Sequence, residues 1–295
     1  MKIASAAYPL SWFDDFDQYE AKLADWVAEA AGHGADLLVF PEYGAMELAS
    51  LAGPDVAGDM EAALQAVAGY LPQADACHAR LAQKHGVHIL AASAPAMTDQ
   101  PRPVNQARLF APSGEMVAQD KQIMTMVERA EMDVVPGAAL QVIDTELGKI
   151  GILICYDAEF PALGRMLIEA GAKIILTPSF TGGLAGYWRV RIGAMARALE
   201  GQCITVHSPV VGDGAGCPAI GPATGAAAIY GPPDTGFPDT GVLAEGRLDA
   251  AGWVYADVDI EAVTKVREHG KVRNFSHWGE QHERLKTVKT VKLGV

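Results

Sequence analysis

Three reactive side chains of different chemistry each stand where a predicted β-strand ends. The carboxylate of Glu42 follows the apolar run 35–40, the amine of Lys121 closes a shorter strand-like segment, and the thiol of Cys155 ends the apolar run 150–154. In α/β folds, reacting groups gather where the carboxyl ends of strands open into loops. These positions therefore predict that a carboxylate, an amine and a thiol meet at one edge of a sheet.

The chemistry that each group favours depends on its surroundings. A carboxylate beside an apolar strand is partly desolvated, which raises its pKa and suits Glu42 to proton transfer. Cys155 stands between a strand end and a helix start, where the helix dipole and a nearby cation favour the nucleophilic thiolate. Each residue also has a structural interpretation: Glu42 as a helix cap, Lys121 as a surface lysine and Cys155 as a small buried apolar residue. Position alone leaves both interpretations open.

Short β-branched runs alternate along the chain with longer segments of helical periodicity. Strands are expected at residues 2–7, 35–40, 88–92, 109–121 (a hairpin with its turn at 112–114), 141–144, 150–156, 173–178, 202–208, 226–230 and 253–260, and helices at 19–31, 60–84, 163–170, 187–200 and 260–269. Strand–helix–strand units with no internal repeat or linker between them predict one α/β domain in which helices cover mixed sheets.

Composition narrows the classes of protein to consider. The chain has 295 residues, half of them hydrophobic, and a formal net charge of −13, which would repel nucleic acid. No apolar run approaches the roughly 20 residues of a membrane span, and the first residues lack the character of a signal peptide. Four scattered cysteines do not make a secreted disulfide framework. We therefore expect a cytoplasmic, reduced protein that binds neither nucleic acid nor membrane.

The order of the reactive residues, with their neighbours, resembles the nitrilase, or carbon–nitrogen hydrolase, superfamily. The matching segments are Phe40-Pro41-Glu42, Lys121 after a hairpin strand, and Cys155-Tyr156-Asp157 followed by Glu159-Phe160-Pro161. The intervals of 79 residues between Glu42 and Lys121 and of 34 between Lys121 and Cys155 also fit the family. Three ordered matches in the expected strand contexts are far more specific than one. The resemblance extends over residues 2–269.

The resemblance implies a single-domain, four-layer α-β-β-α sandwich of the nitrilase type. It places a carbon–nitrogen hydrolase domain at residues 1–270 and a C-terminal extension at 271–295, with the extension at a subunit interface. The helix that includes Trp188 and Arg189 would belong to the same interface. A homodimer or a larger homo-oligomer is therefore expected.

The resemblance also assigns roles to the reactive residues. Cys155 would be the nucleophile and Glu42 the general base, and Lys121 would stabilise the oxyanion together with the backbone N–H of Tyr156. A small amide would be split into an acid and ammonia or an amine through a thioester, without a metal or an organic cofactor.

Many members of the superfamily have a second glutamate near the lysine, and this chain offers two candidates. Glu128 lies seven residues after Lys121, close to the spacing in several branches of the family, and is preferred to Glu131 as a substrate-positioning residue. The loop 179–183 follows another strand end and is expected to line the mouth of the site.

Several other functions stay open at the level of sequence. A nitrilase would use the same three residues on a nitrile, and a catalytically silent binding module could retain the fold. A Cys–His hydrolase would need His88 or His207 as its base. Metal binding is disfavoured because Cys77 and His78 are adjacent and no second pair has ligand spacing.

Overall fold

Two sheets of six strands form the centre of the molecule. The structure, a computed structural model, describes residues 1–285 and 287–294. The strands are β1 (Lys2–Pro9), β2 (Leu37–Val39), β3 (His88–Ala96), β4 (Val104–Phe110), β5 (Met116–Asp120), β6 (Ile143–Thr145), β7 (Gly148–Ile152), β8 (Ile174–Ser179), β9 (Ile204–Val211), β10 (Ala228–Tyr230), β11 (Val242–Glu245) and β12 (Gly252–Asp257).

The two sheets have the same plan. Their strand orders are β5-β4-β3-β2-β1-β12 and β6-β7-β8-β9-β10-β11. In each sheet three parallel strands are flanked by antiparallel ones, so both are mixed sheets, as predicted. The sheets join where β1 pairs with β9, at Tyr8 with Val210 and Pro9 with Val211.

Helices cover the outer faces of both sheets. They are α1 (Phe16–Gly32), α2 (Pro54–Ala57), α3 (Met60–His85), α4 (Met126–Ala130), α5 (Pro161–Glu169), α6 (Leu184–Gly201), α7 (Ile260–His269) and α8 (Asn274–His277), with 3₁₀ segments at Gly44–Ala52, Cys155–Glu159 and Trp278–Glu283. Side-chain caps fix several starts: Asp15 accepts a hydrogen bond from the backbone of Gln18 at α1, and Asp59 accepts one from Ala62 at α3. The long helix α3 ends at Gly86, whose left-handed backbone suits a glycine cap.

Separate apolar layers hold the helices and sheets together. One core lies between α1, α3 and the first sheet, a second lies between the two sheets, and smaller clusters lie under α5 and α6. The order of layers is therefore helix, sheet, sheet, helix. This confirms the predicted four-layer α-β-β-α sandwich.

The segments nearest the reactive residues differ from the sequence prediction. The strand predicted at 150–156 ends at Ile152, and Cys155 begins a 3₁₀ turn instead. The hairpin expected from residue 109 begins at Val104 instead. The hydrophobic pattern misses this start because it contains polar residues, which are nevertheless largely buried inside the protein. Strand β11 and the short helix α4 were not predicted; α4 is closed at its start by a capping box between Thr125 and Glu128.

The chain beyond residue 270 begins by packing on its own domain. The guanidinium of Arg267 lies 4.3 Å from the ring centre of Phe275, and that of Arg165 lies 4.8 Å from the ring of Trp278. Residues 286 and 295 of the predicted extension lie outside the described residues. No described helix is both long and apolar enough to cross a membrane.

Helix α6 approaches the turn that begins at Cys155 closely, and this contact can be tested by substitution. A Cβ on Gly193 would lie 2.8 Å from the carbonyl oxygen of Ala158, whereas a Cβ on Gly69 in α3 would meet no atom within 4 Å. We expect Gly193→Ala to lower the free energy of unfolding by about 1–3 kcal/mol. Gly69→Ala, the matched control, should raise it by roughly 0.5–1 kcal/mol because alanine favours a helix. Urea unfolding measures both, and equal effects would contradict the tight contact.

Candidate active site

A buried ammonium lies between two carboxylates at the carboxyl edge of the first sheet. Lys121, directly after β5, donates from Nζ to Glu42 Oε1 and to Glu128 Oε2, both at 2.7 Å. All three side chains are at most 3% exposed. The structure thus brings together the predicted Glu42 and Lys121 and places Glu128 against the same lysine. Glu131, the other candidate, is exposed at the end of α4.

Two residues that the sequence did not single out complete this cluster. The amide nitrogen of Asn105, in β4, donates to Glu42 Oε1 at 2.9 Å and to Glu128 Oε1 at 3.2 Å. The hydroxyl of Tyr43 donates to Glu128 Oε1 at 3.0 Å. An asparagine near the start of a strand is a common polar residue, so only its distance to the carboxylates reveals its importance.

Cys155 is held in an unusual backbone conformation. Its φ of 51° lies in the left-handed region, which is uncommon for a residue other than glycine. Its thiol donates to the carbonyl oxygen of Phe180 at 3.7 Å, while the N–H of Phe180 donates to Glu42 Oε2 at 2.8 Å. One peptide segment, directly after β8, therefore contacts both the thiol and the carboxylate.

The pKa shifts of Glu42 and Cys155 favour proton transfer between them. Burial raises the pKa of Glu42 above its ordinary value; Lys121 opposes this shift and Glu128 adds to it. Burial also raises the pKa of the Cys155 thiol well above its usual range, and the nearby Glu42 carboxylate raises it further, against the influence of Lys121. The resting thiol is therefore protonated and lies next to a carboxylate that is more basic than usual.

Lys121 and Glu128 remain charged because the attraction between opposite charges outweighs the effect of burial on their pKa values. Burial alone would lower the pKa of Lys121, but Glu42 and Glu128 outweigh it and raise that pKa above its ordinary value. Burial alone would raise the pKa of Glu128, but Lys121 and the hydrogen bonds from Thr125 hold it below its ordinary value. Glu128 is thus an anion that keeps the lysine protonated.

Asp157 connects the cysteine turn to the lysine loop. Its carboxylate accepts hydrogen bonds from the backbone N–H groups of Gln122, at 3.1 and 3.2 Å, and of Ile123, at 2.8 Å. Burial raises its pKa to about 7, with Lys121 opposing the shift. Asp157 therefore fixes the distance between two chain segments that carry reactive groups.

A cavity of about 650 Å³ opens onto these residues. Most of its wall is apolar, with Met60, Met132 and Ile220 among the contributors, and residues 180–183 of the loop predicted to border the site also line it. Tyr156 lines the cavity and is partly buried.

Three charged residues lie in the cavity wall in addition to the ion cluster. Glu159 and Arg189 form an ion pair at 3.5 Å, and Glu131 is the third. Arg189, which the resemblance assigned to an interface helix, thus also borders the cavity.

Two histidines considered for a Cys–His hydrolase or for metal binding have hydrogen-bond partners outside the reactive cluster. His207 is buried and contacts Ser179 Oγ at 2.8 Å, and burial lowers its pKa to about 3. His78 is buried with its ring bonded to the carbonyl of Ala74 at 2.8 Å, and burial lowers its pKa to about 4. Neither ring contacts Cys155 through a hydrogen bond within the described chain. The four cysteines are likewise all free there.

Comparison with known proteins places the chain in a family. Residues 2–268 match the family described as carbon–nitrogen hydrolase. The chain belongs to the carbon–nitrogen hydrolase family. Among curated relatives, a protein of Bacillus subtilis named "Probable hydrolase YhcX" is 32% identical over 276 residues, which is 92% of this carbon–nitrogen hydrolase and 52% of that relative. "Deaminated glutathione amidase" of Bos taurus is 41% identical over 87 residues, covering 28% of this chain and 26% of its own. The chain thus spans about half the length of that Bacillus subtilis relative.

Solved structures confirm the nitrilase-type fold of this carbon–nitrogen hydrolase. A carbon–nitrogen hydrolase from Helicobacter pylori has a TM-score of 0.74 at 19% identity, covering 97% of this chain and 98% of its own. A variant of the amidase from a Nesterenkonia species has a TM-score of 0.68 at 20% identity, with coverage of 96% and 99%. Nit3 of Saccharomyces cerevisiae, in the nitrilase superfamily, gives 0.68 at 19% identity, with coverage of 91% and 93%.

The raised pKa of Asp157 predicts a specific dependence of stability on pH. A carboxyl with a folded-state pKa of about 7 and an ordinary value of 3.8 stabilises the fold most at low pH, and this contribution is lost as pH rises through 7. Asp157→Asn, which cannot ionise, should therefore gain stability relative to wild type between pH 5 and pH 8, by about 1.4 kcal/mol for each pH unit between pH 5 and the folded-state pKa of about 7. Urea unfolding at both pH values, with exposed Asp25→Asn as control, measures this. A difference between Asp157→Asn and wild type that is the same at both pH values would contradict it.

Proposed function

We propose that this protein hydrolyses an amide carbon–nitrogen bond through a thioester on Cys155. The observation that supports the proposal is that Glu42 links the two other groups. One of its oxygens accepts a hydrogen bond from Lys121, and the other accepts one from the N–H of Phe180, whose carbonyl contacts the thiol. A nucleophile, a base and a cation are thus within one hydrogen-bonded group.

Glu42 acts first as the base. It takes the thiol proton of Cys155 as the sulfur attacks the amide carbonyl carbon, so that a carbon–sulfur bond forms and the carbonyl oxygen becomes negative. Lys121 has three N–H donors, of which two bond Glu42 and Glu128, and the third is left for this oxyanion. The backbone N–H of Tyr156 is the second donor.

Collapse of the tetrahedral intermediate completes the acylation. The carbon–nitrogen bond breaks, Glu42 returns its proton to the leaving nitrogen, and ammonia or an amine departs. Water then attacks the thioester with Glu42 again as base, which releases the acid and regenerates the thiol. A neutral thiol beside a basic carboxylate gives an unreacted site with one mobile proton. In acylation Glu42 passes this proton from the sulfur to the leaving nitrogen, and in deacylation it passes a proton from water to the sulfur.

Glu128 serves as a fixed anion in this scheme. Its two oxygens accept five hydrogen bonds: from Lys121, the Thr125 backbone and hydroxyl, Asn105 and Tyr43. A carboxylate with so many donors and a pKa below its ordinary value is a poor base. Its role is to keep Lys121 charged and oriented toward the substrate.

The comparisons support an amide rather than a nitrile as substrate. Relatives that match part of this chain are named as amidases, and a variant of the Nesterenkonia amidase carries covalent adducts of acrylamide and of fluoroacetamide on its active-site cysteine. A cavity of about 650 Å³ with mainly apolar walls has room for an acyl group larger than acetyl. A nitrile would pass through the same thioester, so nitrile hydrolysis remains the second candidate.

Removal of the thiol tests this proposal. Cys155→Ala should lose hydrolysis of amides by at least about 10⁴-fold and keep its circular dichroism spectrum and unfolding midpoint. Mass spectrometry of the intact wild-type protein, mixed with a panel of amides and nitriles, should show an acyl adduct on Cys155 and none on the variant. Turnover retained by Cys155→Ala would refute the mechanism, and a wild type that neither turns over nor forms an adduct would favour a binding module.

We further propose that α6 forms part of a homodimer interface, to which the C-terminal extension also contributes. Leu184, Trp188, Ile192 and Leu199 recur along one side of α6, and each is at least 41% exposed. A continuous apolar stripe of this size on a helix is typical of a surface that is covered by another protein.

A charge placed in the stripe should separate the subunits. Ile192→Glu is expected to shift the protein from dimer to monomer in sedimentation velocity at micromolar concentration, because a carboxylate would be buried without a partner. Met97→Glu, at a similarly exposed apolar residue after β3, is the control and should leave the dimer intact. A wild-type monomer, or an unchanged dimer in Ile192→Glu, would contradict the proposal.

A further inference from the structure

One amide group joins the two carboxylates that flank Lys121. Asn105 is fully buried, and its Nδ2 donates one hydrogen to Glu42 Oε1 at 2.9 Å and the other to Glu128 Oε1 at 3.2 Å. Both hydrogens of the NH₂ group are thus used on anions. Among the residues that the structure describes, Lys121 is the other group that donates to both carboxylates, so the two acids are bridged once by a cation and once by a neutral donor.

The orientation of this amide is fixed from its other end. Ser93 donates from Oγ to Asn105 Oδ1 at 2.6 Å, and Ser93 Oγ accepts from the backbone N–H of Tyr43 at 3.0 Å. A reversed amide would place its oxygen against two carboxylates and its NH₂ group against a hydroxyl. The chain of hydrogen bonds therefore sets which end faces the glutamates, and it also reaches the residue directly after Glu42.

We infer that Asn105 is a positioning residue that keeps Glu42 and Glu128 ionised side by side, so that Glu42 is free to take the proton of Cys155. This inference deepens the proposed function and rests on it. It assigns Asn105 no contact with substrate and no part in proton transfer.

Electrostatics explains why an amide suits this position. Two nearby carboxylates repel, and without compensation one of them takes up a proton. A second cation would compensate as well, but it would also weaken Glu42 as a base. An amide stabilises both anions through hydrogen bonds while adding no net charge, so it lowers the basicity of Glu42 less than a cation would.

The loss in kcat/KM should depend on pH in opposite ways in two variants whose new side chains are similar in size to asparagine. Asn105→Leu removes both donors, so Glu42 holds its proton to higher pH, and the loss in kcat/KM should be greatest at pH 6 and smaller at pH 9. Asn105→Asp behaves as a neutral donor when protonated and as a third anion when ionised, so its loss should be greatest at pH 9. We expect maximal losses of roughly 100-fold, carried by kcat more than by KM.

A second readout separates this inference from the proposed reaction. The rate at which iodoacetamide alkylates Cys155, followed by intact mass, requires a base near the thiol but no amide hydrolysis. The same opposite pH trends are expected in this rate. If wild type hydrolyses no amide, the proposed function fails, while the alkylation profiles still test the role of Asn105.

A third variant covers the case in which both substitutions at Asn105 prevent folding. Ser93→Ala keeps the amide and removes the donor that orients it, and it should show a smaller loss with the same pH trend as Asn105→Leu. Losses that are equal at every pH in the folded variants would indicate a purely structural residue and overturn the inference. So would wild-type kcat in Asn105→Leu, or a wild-type pH profile in Ser93→Ala where that is the one variant that folds.

Discussion

The arrangement of the site depends on one constraint, the burial of the Lys121 ammonium. An unpaired ammonium without water would cost several kcal/mol, so the charge must be matched and its partners must be hydrogen-bonded. Two carboxylates supply the match, but they bring four oxygens that need donors. Those donors come from Asn105, Tyr43 and the chain around Thr125 and Phe180. Each comes from a different segment of the fold, so the position of one charge fixes several loops at once.

The site also depends on the stacking of the two sheets. Glu42 and Lys121 follow strands of the first sheet, whereas Cys155 and Phe180 follow strands of the second. The thiol can meet its base only where the carboxyl ends of both sheets face each other across the apolar layer between them. Asp157 strengthens this junction, since it belongs to the cysteine turn and accepts hydrogen bonds from the backbone that follows Lys121. The fold therefore assembles the reactive group from two halves.

The sequence predicts the layers and the three reactive residues because each depends on strong local signals. Apolar runs mark the buried strands that end near Glu42 and Cys155, and the order of the motifs identifies the lysine. The sequence does not predict the partners. Asn105 lies at a polar strand start that also contains Arg108, and both are buried because tertiary contacts satisfy them: the guanidinium of Arg108 bonds Asp75 at 2.7 Å. Such burial has no signature in a hydrophobic pattern, so the strand is predicted too short and its asparagine is missed.

Backbone strain at two positions shows what the site requires of its side chains. Tyr43 and Cys155 both adopt left-handed φ values, 53° and 51°, where glycine would avoid a cost of roughly 1–3 kcal/mol. Glycine would relieve the strain, but it would also remove the hydroxyl that bonds Glu128 and the thiol beside Phe180. The turns are needed because each side chain must leave a strand end and point back toward Lys121. Tyr43 is held by the bond from its N–H to Ser93, and Cys155 by the turn that Asp157 anchors. The strain is thus maintained by the same hydrogen bonds that place the reacting groups, and relaxing it would separate the thiol from its base.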